Sequence, residues 1–157
     1  MKKIPVILSI LVAAYACGGD NTEQKAGTDE AATSMVNSGS SDYDTAKGAG
    51  KFKDFTPPAN LDAALATSGE QVYTMKCASC HKLTDEKLVG PGWKGVTQRR
   101  QGAWILNFIT NTDEMLNIDP EAQAQLEVCL VRMPNQNLTD EEAKGVYEFM
   151  RKNDGVK

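Results

Sequence analysis

The chain has a single histidine, His81, among its 157 residues. A metal site built from several imidazoles is therefore excluded within it. No second histidine, no identifiable pair of buried carboxylates and no phosphate loop is present to support acid–base, nucleophilic or phosphoryl chemistry. The formal charge is only −4, which argues against general nucleic-acid binding. No internal repeat is visible. The most apolar stretch, residues 4–14, is too short to span a bilayer comfortably.

What that stretch does have is the layout of an export signal. Lys2 and Lys3 precede it, and Ala-Tyr-Ala-Cys follows. A basic start, a short apolar centre and a small-residue cleavage site predict a signal peptide over residues 1–16. Cys17, directly after that site, resembles the cysteine of a bacterial lipobox, although Ala14 stands where that motif prefers leucine. Cys17 is then a lipidation site, and several acyl chains acting together would anchor the chain firmly. Ordinary cleavage after Ala16 and a retained membrane anchor are the competing readings. Residues 17–60 are rich in Gly, Ser, Thr, Asp and Ala. Such a stretch buries too little surface to offset its ordering entropy, so it reads as a lipid-anchored, disordered, flexible linker. Thr-Pro-Pro-Ala-Asn at 56–60 closes it, which leaves residues 61–157 as one folded domain with a modest core.

Within that domain, Cys77-Ala-Ser-Cys80-His81 concentrates the chemistry. Zinc needs four ligands, and only Cys129 and Cys17 lie outside the cluster to help. A dithiol oxidoreductase expects its Cys-x-x-Cys pair beside a βαβ pattern, and no alternating strands are apparent. The third reading is covalent attachment of a c-type haem. On a helical turn, two sulfurs three residues apart can reach both vinyl groups along one side of the porphyrin. The following imidazole then meets the iron. Export agrees with this, because two exposed thiols would otherwise oxidise in that compartment.

Three segments resemble a class I, monohaem cytochrome c of the bacterial tethered type. They are CASCHK, then VGPGWKGV at 89–96, then RMPNQNLTDEEAKGVYEFM at 132–150. The resemblance implies an all-α fold of about four helices around one covalently attached haem c, with electron transfer as its task. It implies that Pro91 offers its carbonyl to the ring N–H of His81, which would fix the tautomer and raise ligand basicity. It also implies an axial methionine in a Met-Pro loop ahead of the last helix. Met133 fits that place, so His81 and Met133 are the expected iron ligands. Met115 is the competitor; Met75 lies too close to Cys77, and Met150 falls on a core stripe.

Pattern and capping predict the helices. The first spans about 69–78, capped by Thr67 or Ser68. The second spans about 103–111, with Trp104, Ile105, Phe108 and Ile109 on one stripe. The third starts at Asp119-Pro120, with Leu126, Cys129, Leu130 and Met133 on one apolar face. The last spans about 140–153, with Thr139 and Glu142 as a capping box and Ala143, Val146, Tyr147 and Met150 facing inward. The family crosses its first and last helices, and Gly69 against Tyr147 is the expected contact. The Trp104 indole, Arg99 and Arg100 are candidate partners for haem propionates. Cys129 reads as a small buried hydrophobe.

A six-coordinate iron leaves no open position for substrate. The expectation is thus a one-electron carrier, not an enzyme, working between redox protein partners on the periplasmic side of a bacterial membrane. A terminal oxidase or a periplasmic reductase such as nitrous oxide reductase would be a suitable acceptor. Two alternatives remain: a peroxidase-type or gas-binding haem protein with an open iron position, and a fixed haem subunit of a larger oxidoreductase. Lys76, Lys82, Lys87, Lys94, Arg99 and Arg100 outnumber the acids between 76 and 100, which suggests a docking face for an acidic partner.

Overall fold

A computed structural model describes residues 43–157. The expected signal peptide, Cys17 and the first part of the expected linker lie outside them. The described residues form six α-helices and no strand: α1 Ala63–Lys76, α2 Val96–Arg99, α3 Gly102–Thr110, α4 Thr112–Ile118, α5 Pro120–Cys129 and α6 Asp140–Asn153. The all-α expectation holds, with two short helices more than anticipated. None of the described helices is long and apolar enough to cross a membrane.

α1 begins six residues before its expected start. Asp62, not Thr67 or Ser68, is the N-cap, and its carboxylate accepts from the Leu65 N–H at 2.9 Å. The Thr67 and Ser68 hydroxyls instead bond back to Ala63 and Leu65 carbonyls within the helix. α6 matches expectation, with both halves of the Thr139–Glu142 capping box formed and Ala143, Val146, Tyr147 and Met150 all buried. Asp119 caps α5 ahead of Pro120, also as expected. That helix stops at Cys129, however. Leu130 adopts a left-handed conformation (φ 59°) and is 84% exposed. The predicted face through Leu130 to Met133 therefore does not exist. The inward side of α5 is Ala122, Gln125, Leu126 and Cys129 instead.

α1 and α6 cross at two glycines. A Cβ on Gly69 would lie 1.9 Å from the Gly145 carbonyl oxygen, so only hydrogen allows this approach. The predicted Gly69–Tyr147 contact is thus corrected to Gly69–Gly145. Tyr147 instead packs edge-on against Phe55 at 5.4 Å and closes over Gly102.

The largest departure concerns residues 43–60. Expected to be linker, they are folded onto the helices. Phe52 is buried and its N–H donates to Asn107 Oδ1 at 2.9 Å. The Asn107 and Asn111 amides donate to the Lys47 and Ala49 carbonyls. The Tyr43 hydroxyl donates to the fully buried carboxylate of Asp119 at 2.6 Å. Burial and that bond raise the Tyr43 pKa well above the usual phenol value. At Gly48 (φ +73°) a Cβ would meet Met115 Cε at 2.7 Å. The Gly-Ala-Gly of this stretch therefore serves close approach to the core. Further along, the Arg151 guanidinium donates to the Pro58 carbonyl while paired with buried Glu148 at 2.7 Å.

Two substitutions test these contacts by equilibrium unfolding. Gly69→Ala should cost about 3 kcal/mol, because backbone cannot yield to the added methyl as a flexible side chain would. Phe52→Ala should cost about 3 kcal/mol if residues 43–60 belong to the core, and within about 0.5 kcal/mol if they are tether.

Candidate haem site

The attachment motif sits on a turn at the C-terminal end of α1. The Cys80 and His81 N–H groups both donate to the Cys77 carbonyl, at 3.0 and 2.9 Å. This brings the two sulfurs and the imidazole onto one local frame. The Tyr73 hydroxyl, one turn back on α1, donates to the His81 carbonyl at 2.8 Å. Burial pushes the Cys77 thiol up to about 11, with Cys80 adding to the effect and Lys76 opposing it. A dithiol oxidoreductase needs the opposite, a depressed thiol. No group of three or more His, Cys, Asp or Glu side chains able to hold a metal occurs among the described residues.

The loop after this turn folds back on the imidazole. Val89 and Gly90 N–H groups both donate to the Cys80 carbonyl. A Cβ on Gly90 would lie 2.3 Å from His81 Cε1, so glycine is what lets the loop rest on the ring. Pro91 then accepts the His81 Nδ1–H at 2.9 Å. A carbonyl can only accept, so Nδ1 carries the proton and Nε2 keeps its lone pair for a metal. Burial lowers the His81 pKa against the opposing effect of the Pro91 bond. The neutral, ligand-competent imidazole is therefore favoured.

His81 and Met133 line the same apolar slot, together with Pro91, Phe108 and Gln125. Leu116, Leu126 and Cys129 line one part of it, and Trp93, Trp104 and Met150 another. Cys80 opens onto it as well. Donor set and shape fit a planar macrocycle held through two thioethers, with nitrogen and sulfur donors among the residues that line the slot. Met115, the competing methionine, is fully buried elsewhere. Its sulfur accepts from the Ala49 N–H at 3.0 Å, and it does not line the slot. Met75 is 74% exposed on α1.

The other candidate residues divide. Arg99 and Arg100 both line the slot. Arg99 donates to the Lys94 carbonyl, while Arg100 pairs with Glu121 and lies over the Trp104 ring at 5.0 Å. Trp104 lines the slot, but its indole N–H is spent on Asp119 at 3.1 Å. It was expected to face a propionate; the buried carboxylate that caps α5 takes it instead. Cys129 is half-buried on the slot wall. Trp93, in the Gly-Pro loop, lines the slot as well.

The basic residues expected to form a docking face are partly paired. Lys76 pairs with Glu142, Lys82 with Glu86 and Arg100 with Glu121, while Lys87 donates to the Val128 carbonyl. Three of the six thus meet an acid, while Lys87, Lys94 and Arg99 form no ion pair among the described residues.

Comparisons with known proteins agree with this geometry. The cytochrome c family model matches residues 66–154. A cytochrome c-553-like protein of Synechocystis sp. is 28% identical over 82 residues, covering 49% of this chain and 78% of the relative. A cytochrome c from Rhodothermus marinus superposes with a TM-score of 0.64 at 31% identity, covering 67% of this chain and 90% of that one. An engineered form of the Rhodothermus protein, bound to a carbene intermediate, superposes with a TM-score of 0.61 at 30% identity. With the attachment turn, the Pro91-braced imidazole and the slot all in place, this chain belongs to the cytochrome c family, whose haem is covalently attached.

Proposed function

We propose that the protein is a class I, monohaem electron carrier whose haem c is bound through Cys77 and Cys80 and whose iron is held by His81 and Met133. The observation that carries this reading is that His81 and Met133 line one slot while Met115 is engaged in the core. The bound haem supplies reversible one-electron chemistry at its iron. The chain's own residues set the conditions. Pro91 holds the His81 tautomer and orientation. Phe108, Leu116 and Leu126 give the slot an apolar lining. A thioether donor favours reduced iron, which suits a carrier of raised potential. Pro134 restricts the backbone just after Met133. The alternative of an open iron position is supported by the engineered, carbene-bound relative alone, and that support belongs to the relative.

The reading extends to placement. Export by residues 1–16 and lipid attachment at Cys17 would hold the domain on the periplasmic face of a bacterial membrane, among respiratory redox proteins. A linker ahead of the folded residues would tether the domain there. A terminal oxidase or a periplasmic reductase is the acceptor class in keeping with that placement.

Spectroscopy of two variants tests the ligand set. Oxidised wild-type protein should show the weak far-red charge-transfer band of methionine-ligated haem. Met133→Ala should abolish the band, lower the reduction potential and let carbon monoxide bind quickly. Met115→Ala should keep the band and cost about 3 kcal/mol of stability. A wild type without the band that takes up carbon monoxide readily would replace the carrier reading with the open-iron one. Labelled fatty acid should enter wild-type protein in cells and not Cys17→Ser; a mature chain starting at an unmodified Cys17 would refute lipidation.

A further inference from the structure

Two acids are buried among the described residues, Glu148 and Asp119. Glu148 is answered by the Arg151 guanidinium at 2.7 Å. Asp119 is fully buried, and among the described residues no Lys or Arg pairs with it. Its partners are neutral donors: the Tyr43 hydroxyl at 2.6 Å, the Ala122 N–H at 2.8 Å and the Trp104 indole at 3.1 Å. Both carboxylate oxygens meet donors, which is the environment an acceptor-only carboxylate requires. Capping α5 does not call for this charge, because Asn or Ser caps a helix as well as Asp does. A charge buried without a cation is costly, and the cap leaves it unexplained.

Its place accounts for it. Two of the three donors belong to residues of the slot wall, Trp104 and Ala122. Leu116, three positions before Asp119, lines the slot too. The carboxylate therefore lies directly behind that wall, away from water. An electron entering the slot changes the iron by one unit of charge. A fixed negative charge nearby favours ferric over ferrous iron. We propose, building on the haem-carrier reading, that Asp119 is a potential-setting residue: its buried carboxylate stabilises the oxidised haem and lowers the reduction potential, against the opposite pull of the Met133 thioether.

The neighbouring groups do not cancel this effect. The three donors and the α5 N-terminus are dipoles, which weaken the field of the carboxylate and carry no net charge. Arg100 lines the slot but is paired with Glu121. Glu121 itself is half exposed, so water and salt screen it, whereas a buried charge is screened much less. Replacing Asp119 by Asn removes one full unit and keeps both the shape and the cap.

The test is the reduction potential of the purified haem-loaded protein at about pH 8, above the carboxylate range, in low and in high salt. Asp119→Asn should raise the potential, so that at a fixed applied potential the ratio of reduced to oxidised protein grows about threefold to tenfold. The rise should persist in high salt. Asp119→Ser, a second neutral cap, should raise it likewise. Tyr43→Phe is the control. It removes a bond of the same network and keeps the carboxylate, so it should lower stability without raising the potential. All three should keep the far-red band, which reports unchanged iron ligands. A further measurement leaves Asp119 in place. Coulomb's law is reciprocal, so the iron's change of charge must act on the carboxylate. In protein labelled with ¹³C at its aspartate carboxyl groups, the infrared difference spectrum between oxidised and reduced states should contain a shifted carboxylate band, and Tyr43→Phe should displace that band. An unraised potential in Asp119→Asn, an equal rise in Tyr43→Phe, or the lack of a carboxylate band that answers to both the iron and Tyr43 would overturn the assignment. A protein without covalent haem would sink the carrier reading along with it, whereas a normal haem with an unraised potential sinks this assignment alone.

Discussion

The contact of Gly69 with Gly145 is the one on which the rest of the architecture depends. Two backbones approach so closely there that a methyl group would have to occupy the Gly145 carbonyl. The approach fixes the angle and the depth at which α1 meets α6. α1 ends in the turn that carries Cys77, Cys80 and His81, so the crossing also fixes where the imidazole emerges. From the other helix, Asp154 at the end of α6 takes the Gly95 and Thr97 N–H groups, at 2.6 and 2.9 Å. That ties down the loop whose Gly90 and Pro91 brace the histidine. A single close crossing thus aligns both the attachment turn and its support, and neither lies next to it in the chain.

Asp119 plays the corresponding part on the other wall. Its buried carboxylate accepts from the Ala122 N–H, the Tyr43 hydroxyl and the Trp104 indole. Three donors satisfy a group that would otherwise be costly to bury. The result joins the start of α5, Tyr43 and the core of α3 through one side chain. α5 then presents Gln125, Leu126 and Cys129 to the slot, and Met133 follows in the loop beyond it. The glutamate–arginine pair on α6 works in the same way: Glu148 and Arg151 satisfy each other and hold the carbonyls of residues 58–60. Buried charge here fastens irregular chain to helices.

Charge along the surface leads to a different view of docking from the one a linear count suggests. The lysines and arginines around the attachment motif are largely answered by acids and carbonyls from α5, α6 and the loop. Exposed pairs of this kind contribute little to stability. Lys87, Lys94 and Arg99 form no such pair among the described residues. The arginines that do reach the slot face inward to the cofactor's space as well as to their own partners.

What the sequence determined by itself was local. Cys-x-x-Cys-His puts sulfurs and imidazole on one turn whatever surrounds it. The Thr139–Glu142 box and Asp119-Pro120 start their helices through contacts three residues apart. The Met-Pro loop pointed to Met133 because a family pattern, not a long-range contact, marks it. Tertiary structure decided everything that depended on distant backbone. Gly-Ala-Gly at 48–50 has the composition of a tether, yet it is there so that chain can lie against Met115 and Asn107. Gly69 called for a close partner, and only the docked helices name Gly145. The Trp104 indole needed an acceptor and found Asp119 fifteen positions away. Spacing encodes interactions within a turn or two. Glycine, buried polar groups and aromatic N–H donors state a requirement that packing alone can assign, because the partner is chosen by proximity in space.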